Sequence, residues 1–193
     1  MKTFKRPSDI ILYGGPAAGK STQTKLLAKK LAAAYMNMGG LLRDAIRRGG
    51  EQALDIKKYV NAGKLVPERI SAVLAKDFIK KVPVDQRIVF DGYPRRMLQV
   101  KVIEPAIAKA HRHTVLVFID LPAKVAQSRI ARRAKIEKRS DDADPKVIAE
   151  RIRVFQKNSQ PILKFYRSSG RLITINGDQT IAAIQRDIVR AIK

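Results

Sequence analysis

Short apolar runs alternate along the chain with longer segments in which apolar residues recur every three or four positions. The short runs are bounded by glycine, proline or charged residues, and they predict buried strands at residues 10–13, 84–92, 114–120 and 171–175. The longer segments have the spacing of amphipathic helices. Strands that alternate with helices indicate a parallel sheet covered on both faces, so the pattern predicts an α/β fold.

One part of the chain is helical without an intervening strand. The first helix is predicted from about Lys20 to Ala34. Residues 39 to about 80 then contain three helical segments, separated by Gly49-Gly50 and by the turn 63–67. We therefore interpret this part as a helical insert after the first strand and helix. Further helices are predicted at 95–111, 123–139, 145–158, 161–168 and 179–192.

A glycine-rich loop joins the first strand to the first helix. Gly14, Gly15 and Gly19 leave room for a phosphate chain to approach several backbone N–H groups at once. The helix start adds unpaired N–H groups, and Lys20 adds a full positive charge. Ser21 or Thr22 supplies a hydroxyl for Mg²⁺. The pattern G-x-x-x-x-G-K-[ST] thus predicts a nucleotide-phosphate site, formed by Gly14, Gly15, Pro16, Ala17, Ala18, Gly19, Lys20, Ser21 and Thr22.

Two further features favour phosphate chemistry. Asp91 stands near the end of the strand predicted at 84–92, and an acidic residue there, beside the phosphate loop, suits a second Mg²⁺ contact. Six of the eleven residues from 129 to 139 are basic. A charge run is usually a solvated face. Between two helices of a nucleotide-binding chain, it is better explained as a cover over phosphates.

Composition limits the class of protein. The 193 residues are 45% hydrophobic and lack cysteine, so the chain suits one globular domain without disulfides or thiolate metal sites. No apolar run approaches the ~20 residues that cross a bilayer, so we expect no membrane partner. The 40 Lys and Arg against 17 Asp and Glu give a net charge of +23. This charge suits anionic small substrates and leaves nucleic acid open as a partner.

A second motif, Asp91-Gly92-Tyr93-Pro94-Arg95, lies much farther along the chain than the phosphate loop. The two motifs together are a specific signal of one family. They resemble the nucleoside monophosphate kinase family, most closely the short-lid adenylate kinases. The resemblance covers nearly the whole chain. It also rests on Gly39-Gly40-Leu41-Leu42-Arg43, Gly63-Lys64-Leu65-Val66-Pro67, Gln99, Arg129, Arg133, Arg139, Asp141-Asp142 and Arg151.

The resemblance implies a three-layer fold like that of P-loop NTPases, with a five-stranded parallel sheet. The chain, 1–193, would be a single kinase domain, with a core of 1–38, 81–131 and 141–193, an NMP-binding insert at 39–80 and a short lid at 132–140. The implied reaction is reversible, Mg²⁺-dependent phosphoryl transfer, ATP + AMP = 2 ADP, by a monomer in the cytoplasm. The implied cofactor is Mg²⁺, and the implied small-molecule partners are ATP, as phosphoryl donor, and AMP.

The resemblance also implies roles for individual residues. Those implied in catalysis are Lys20, Arg95, Arg133, Arg139 and Arg151. Arg129 and Arg133 would join the phosphate loop in binding ATP. The implied AMP site consists of Met38, Gly39, Arg43, Lys64, Leu65, Val66, Gly92, Arg95, Gln99, Arg139 and Arg151. Asp91 would hold Mg²⁺ through water, together with Ser21 or Thr22.

The chain departs from the family at several positions. Ala17 replaces the usual glycine, and Ser21 precedes Thr22, so either hydroxyl is a candidate metal ligand. Met38 replaces a threonine near the acceptor base, whereas Gln99, whose amide can pair with the adenine edge, favours AMP. A kinase of UMP, CMP or another nucleoside monophosphate is therefore the first alternative. An RNA-associated nucleotide-binding protein with the same fold is the second.

Overall fold

The computed structural model describes residues 8–136 and 145–192. The five strands in these ranges all pair in parallel, in the order β2-β3-β1-β4-β5, which confirms the predicted α/β fold with a five-stranded parallel sheet. No helix in the same ranges is long and apolar enough to cross a membrane. The elements are β1 (Asp9–Tyr13), α1 (Lys20–Lys30), β2 (Ala34–Asn37), α2 (Met38–Arg48), α3 (Glu51–Asn61), α4 (Glu68–Lys81), β3 (Ile88–Asp91), α5 (Met97–Lys109), β4 (Thr114–Asp120), α6 (Ala123–Ile136), α7 (Pro145–Ser168), β5 (Leu172–Asn176) and α8 (Ile181–Ala191).

Alternate residues of β1 belong to two separate apolar clusters. Ile10 and Leu12 pack with residues of α1 and α8 on one face of the sheet. Ile11 and Tyr13 pack with residues of α2, α3, α4, α5 and α7 on the other face. Side chains of a strand point alternately to the two faces, so this division gives three layers with the sheet in the middle.

The apolar pattern does not predict β2, and it extends the first helix too far. Helix α1 ends at Lys30, and Ala32 has a positive φ of 48°, which ends the helical path. The residues before β2 are mostly alanine and leucine, which favour helix, so they give no sign of this end. Strand β2 has four residues at the sheet edge, and only Met36 is fully buried. It is defined by its pairing with β3 and not by an apolar run.

Two other boundaries differ from the predicted ones. Strand β3 begins at Ile88 instead of residue 84, because the preceding residues form a turn in which the Gln86 N–H donates to the Pro83 carbonyl oxygen at 3.0 Å. Helix α7 is continuous from 145 to 168, where two helices are predicted. Pro161 lacks an N–H, which removes one helical hydrogen bond. The residues after it, Ile162 and Leu163, are buried, so core packing keeps the helix together.

Candidate active site

The phosphate loop lies where β1 ends and α1 begins, at the carboxyl edge of the parallel sheet. Ligands of such sheets bind at this edge. A Cβ atom at Gly14 would lie 2.8 Å from the carbonyl oxygen of Ile119, so only glycine lets the loop pass beside β4. Gly19 is the N-cap of α1 with a φ of 82°, a left-handed conformation that favours glycine. Loop geometry therefore requires two of the three glycines that identified the motif.

The start of α1 is arranged for an anion. Lys20 is the first residue of the helix, and its Nζ donates to the carbonyl oxygen of Gly15 at 2.6 Å. The first turn contains no acidic residue, so its N–H groups and their partial positive charge face the loop unopposed by a local carboxylate. Ser21 and Thr22 are both exposed in this turn. Both hydroxyls therefore stay candidates for the metal contact.

An aromatic side chain from α7 supports the phosphate loop. The ring of Phe155 lies 5.7 Å from that of Tyr13 between centroids. The position of a Cβ on Gly15 would be 3.4 Å from the Phe155 ring. Helix α7 thus packs directly against the loop. The sequence gives no specific signal for this contact, because Phe155 is distant in sequence and looks like any aromatic residue on an apolar helix face.

Asp91 ends β3 and is only 5% exposed. It lies in register with Leu12 of β1 and with Asn37 of β2. The Tyr35 hydroxyl donates to Oδ2 of Asp91 at 3.0 Å, and Nδ2 of Asn37 donates to the Tyr35 hydroxyl at 2.8 Å. Burial, and next the charge of Asp91, raise the pKa of Tyr35 to about 12, so the hydroxyl keeps its proton at neutral pH. The sequence does not point to Tyr35 and Asn37, because it does not predict β2, the strand that carries them.

Three of the predicted phosphate-binding arginines come from separate elements and interact with groups at or next to the end of β3. Arg95 follows β3, Arg43 lies in α2 and Arg151 lies in α7. Desolvation by surrounding protein atoms lowers the pKa of Arg95, the charge of Arg151 lowers it further, and Asp91 opposes both effects. Arg43 acts electrostatically on the hydroxyl that is bonded to Asp91. Arg95 therefore interacts with both Arg151 and Asp91, and Arg43 lies near the tyrosine that is bonded to this carboxylate.

The two residues predicted to contact the acceptor base are both buried. Gln99 is 3% exposed, and its Oε1 accepts from the backbone N–H groups of Arg95 at 2.6 Å and Arg96 at 3.3 Å. Its Nε2 donates to Oγ of Ser71 at 3.2 Å. Met38, the first residue of α2, is 5% exposed and belongs to the larger apolar cluster. Their part in base recognition stays a prediction.

Two glycines predicted for the acceptor site lie directly beside its arginines. A Cβ on Gly39 would lie 3.3 Å from Nη1 of Arg43, and one on Gly92 would lie 3.0 Å from Nη2 of Arg95. Both guanidinium groups therefore lie against backbone. In the segment 64–66 the leucine and valine side chains are buried and the lysine is exposed. Contacts of this segment to a ligand would accordingly involve its backbone or the Lys64 side chain.

The residues predicted to surround ATP are only partly described. Arg129 lies in α6, and its Nη2 donates to the carbonyl oxygens of Gly177 at 3.0 Å and Gln179 at 3.4 Å, in the loop between β5 and α8. Arg133 lies in the same helix, and only its backbone is described. Arg139 and residues 137–140 of the predicted lid lie outside the described residues.

A parallel α/β sheet with this glycine loop, and with a buried carboxylate on the neighbouring strand, defines a P-loop nucleotide-binding protein. A sequence model of the family named Adenylate kinase matches residues 12–171 of the chain. The family match thus includes the whole phosphate loop and ends immediately before β5.

Individual relatives agree with this match. An adenylate kinase of Synechococcus sp. (strain JA-2-3B'a(2-13)) is 31% identical over 180 residues, which cover 93% of each chain. One of Cyanothece sp. is 32% identical over 171 residues, covering 88% of this chain and 87% of the relative. One of Encephalitozoon cuniculi is 31% identical over 186 residues, covering 96% and 98%. The chain belongs to the adenylate kinase family and is a nucleoside monophosphate kinase, a phosphotransferase.

Proposed function

We propose that the protein transfers the γ-phosphoryl group of ATP reversibly to AMP, giving two ADP. The observation that carries the proposal is the interaction of Arg95 with Arg151 and with Asp91, on the strand next to the phosphate loop, with Arg43 near the Tyr35 hydroxyl that is bonded to Asp91. A kinase must hold two anionic groups close together, one on the donor and one on the acceptor. A second set of cations beside the phosphate loop supports an acceptor that is itself a phosphate.

The charges of Arg95 and Arg151 suit this role. Desolvation is the main cause of the lowered pKa of Arg95, and the charge of Arg151 is the next, so the two guanidinium groups repel each other. Arginine stays protonated in proteins, so the repulsion is relieved by binding an anion and not by losing a proton. The planar fork of each guanidinium can bind two phosphate oxygens. A phosphate monoester therefore matches the site better than a neutral acceptor.

The reaction needs no general base from the protein. The acceptor phosphate is already a nucleophile, so catalysis consists of positioning and of cancelling negative charge on the transferring group. Lys20 would exchange its bond to the Gly15 carbonyl for the donor phosphates, while the first turn of α1 binds them through N–H groups. Arg95 and Arg151 would hold the acceptor phosphate and the group in transfer.

The side chains near the loop are compatible with Mg²⁺. No group of three or more His, Cys, Asp or Glu that would form an all-protein metal site occurs among the described residues. Mg²⁺ commonly takes one or two protein ligands and completes its shell with phosphate oxygens and water. Asp91 through water, with Ser21 or Thr22, would hold it here. When bound, the ion neutralises charge on the phosphate oxygens.

Gln99 supports AMP as the acceptor. Its Oε1 is engaged by backbone N–H groups, and one N–H of its Nε2 is used by Ser71. The amide nitrogen carries a second hydrogen, which remains as a donor toward a base. Adenine and cytosine present an unprotonated ring nitrogen on their pairing edge, whereas uracil and guanine present N–H there. A donor at Gln99 would bond to this nitrogen in AMP or CMP, whereas in UMP or GMP it would have to bond to a neighbouring carbonyl oxygen. Gln99 thus supports AMP, with CMP as the nearest competitor.

We further propose that the insert 39–80 binds the acceptor and that the segment 132–140 closes over ATP. Arg129, Arg133 and Arg139 would then neutralise the donor phosphates when the lid is closed. Closure would exclude water, which could otherwise accept the phosphoryl group. The division into core, insert and lid, the monomeric state and the cytoplasmic location remain predictions of the resemblance.

The net charge of +23 favours a second candidate function, binding of RNA through the basic surface. This function is compatible with kinase activity if the RNA binds away from the nucleotide site. Displacement of the RNA by ATP or AMP would instead show that it occupies the phosphate site.

Phosphorus NMR tests the reaction directly. Protein mixed with ATP, AMP and Mg²⁺ should form two ADP for each ATP consumed, and ADP alone should give ATP and AMP. Formation of one ADP and one inorganic phosphate for each ATP consumed, with AMP unchanged, would contradict the proposal and indicate an ATPase. The Arg95→Gln variant should reduce the rate strongly, because it removes an acceptor-phosphate cation.

A further inference from the structure

A chain of side-chain hydrogen bonds connects the first turn of α2 with Asp91. The N–H of Gly40 donates to Oδ1 of Asn37 at 2.8 Å, so Asn37 caps the helix. Nδ2 of Asn37 donates to the Tyr35 hydroxyl at 2.8 Å. The Tyr35 hydroxyl donates to Oδ2 of Asp91 at 3.0 Å. Because the hydroxyl already accepts from Asn37, its single proton is directed to the carboxylate.

Strand geometry explains why these residues meet. Tyr35 and Asn37 are two residues apart on β2, so their side chains lie on the same face of the sheet. Met36 between them points to the opposite face and is fully buried. Asn37 lies in register with Asp91 on the adjacent strand. Tyr35 lies two positions farther back, in register with Val89, and its long side chain reaches forward to the same carboxylate.

The bond matters because Asp91 is buried. A carboxylate with 5% exposure has little solvent to orient it, so its orientation depends on its protein partners. A hydrogen bond to a charged group is among the stronger ones in proteins. The Tyr35 hydroxyl occupies Oδ2 and leaves Oδ1 as the oxygen available to a metal-bound water.

We propose that Tyr35 is a positioning residue of this kinase, whose hydroxyl orients Asp91 toward the Mg²⁺ of the bound nucleotide. The inference rests on the proposed function, since it assigns Asp91 to the metal. Asn37 extends the effect, because it fixes the Tyr35 hydroxyl and caps the helix that carries Gly39 and Arg43. The orientation of the metal-binding carboxylate is thereby linked to the first helix of the acceptor insert.

The Tyr35→Phe variant tests the proposal, because it keeps the ring and removes only the hydroxyl. ATP binding would be measured by calorimetry with and without Mg²⁺, in the absence of AMP, so that no transfer occurs. The readout is the factor by which Mg²⁺ strengthens ATP binding. We expect Tyr35→Phe to reduce this factor three- to tenfold and to lower kcat similarly, with KM for AMP within twofold of the unmodified protein. Tyr59→Phe, at a half-buried tyrosine of α3, is the matched control and should change neither value.

A second variant separates orientation from folding. Asn37→Ser retains an oxygen that can cap α2, but the shorter side chain cannot reach the Tyr35 hydroxyl. It should reduce the Mg²⁺ factor less than Tyr35→Phe does. This variant also serves as the test if Tyr35→Phe does not fold.

Each result decides between the explanations. A Mg²⁺ factor that equals that of the unmodified protein in both variants, with only a lower Tm, would show that the hydroxyl is structural and would overturn the proposal. Failure of the unmodified protein to form ADP would overturn the proposed function instead. In that case the Mg²⁺ factor, which needs no turnover, still decides whether Tyr35 positions Asp91.

Discussion

Replacing Ala17 with glycine should stabilise the free protein. Ala17 has a φ of 59°, in the left-handed region where a Cβ approaches the following carbonyl oxygen. This conformation costs an alanine roughly 1–2 kcal/mol. Glycine avoids the strain but loses about 0.4–1 kcal/mol through the greater freedom of its unfolded chain. The net gain for Ala17→Gly is therefore about 0.5–1 kcal/mol, which corresponds to a Tm increase of about 1–4 °C for a chain of this size.

Thermal unfolding followed by circular dichroism measures this change, and two alanines provide controls. Ala32 has a φ of 48° and lies outside the site, so Ala32→Gly should give a similar gain. Ala18 is fully buried and has no positive φ, so Ala18→Gly should lower the Tm. The KM for ATP should change less than twofold in Ala17→Gly. A lower Tm for this variant would refute the argument that backbone strain is stored in the phosphate loop.

Four other predictions concern the site, the fold and the charge. Lys20→Ala should fold and lose roughly 10²-fold or more in kcat, and near-normal turnover would contradict the phosphate-loop assignment. Met38→Thr should lower the KM for AMP several-fold with little change in kcat, and an unchanged KM would show that residue 38 does not contact the base. Because the Met38 side chain is buried, its replacement should also lower the stability by roughly 2 kcal/mol. The hydrogen bond from Arg96 lowers the pKa of Glu68 below its usual 4.5. The unmodified protein should therefore be more stable than Glu68→Gln at pH 7, and this difference should decline as the pH falls through the lowered pKa and vanish well below it. Urea unfolding measures the difference, and a difference that persisted at a pH well below the lowered pKa would refute this prediction. Binding of labelled RNA, if it occurs, should weaken steeply between two salt concentrations because neutralised phosphates release counterions, and salt-independent binding would argue against a role for the net charge.

Most of the fold was predictable because buried strands have a simple signature. Strand β4, buried through most of its length, is an uninterrupted apolar run, and the pattern gives its bounds correctly. Strand β2 was not predictable, because an edge strand of four residues with one fully buried side chain has no uninterrupted apolar run. The continuity of α7 through Pro161 was also unpredictable, since it depends on packing against distant parts of the chain.

The site shows the same division between local and distant information. The phosphate loop is contiguous in sequence, so its residue types reveal it without a structure. The interaction between Arg95 and Arg151 joins elements far apart in the chain, and the resemblance alone pointed to it. The chain from Asn37 through Tyr35 to Asp91 required the register of β2 against β3. Sequence therefore identifies the phosphate loop, whereas the order of the strands is needed for the contacts of Asp91.

The most direct test of the central claim is the initial rate of acceptor-dependent ATP consumption with each of four acceptors, AMP, CMP, UMP and GMP, at equal Mg²⁺. The donor N–H of Gln99 predicts the highest kcat/KM for AMP, with CMP next. A higher kcat/KM for UMP or GMP would contradict the assigned acceptor and leave the kinase assignment intact. No acceptor-dependent ATP consumption with any of the four would contradict the proposed reaction itself.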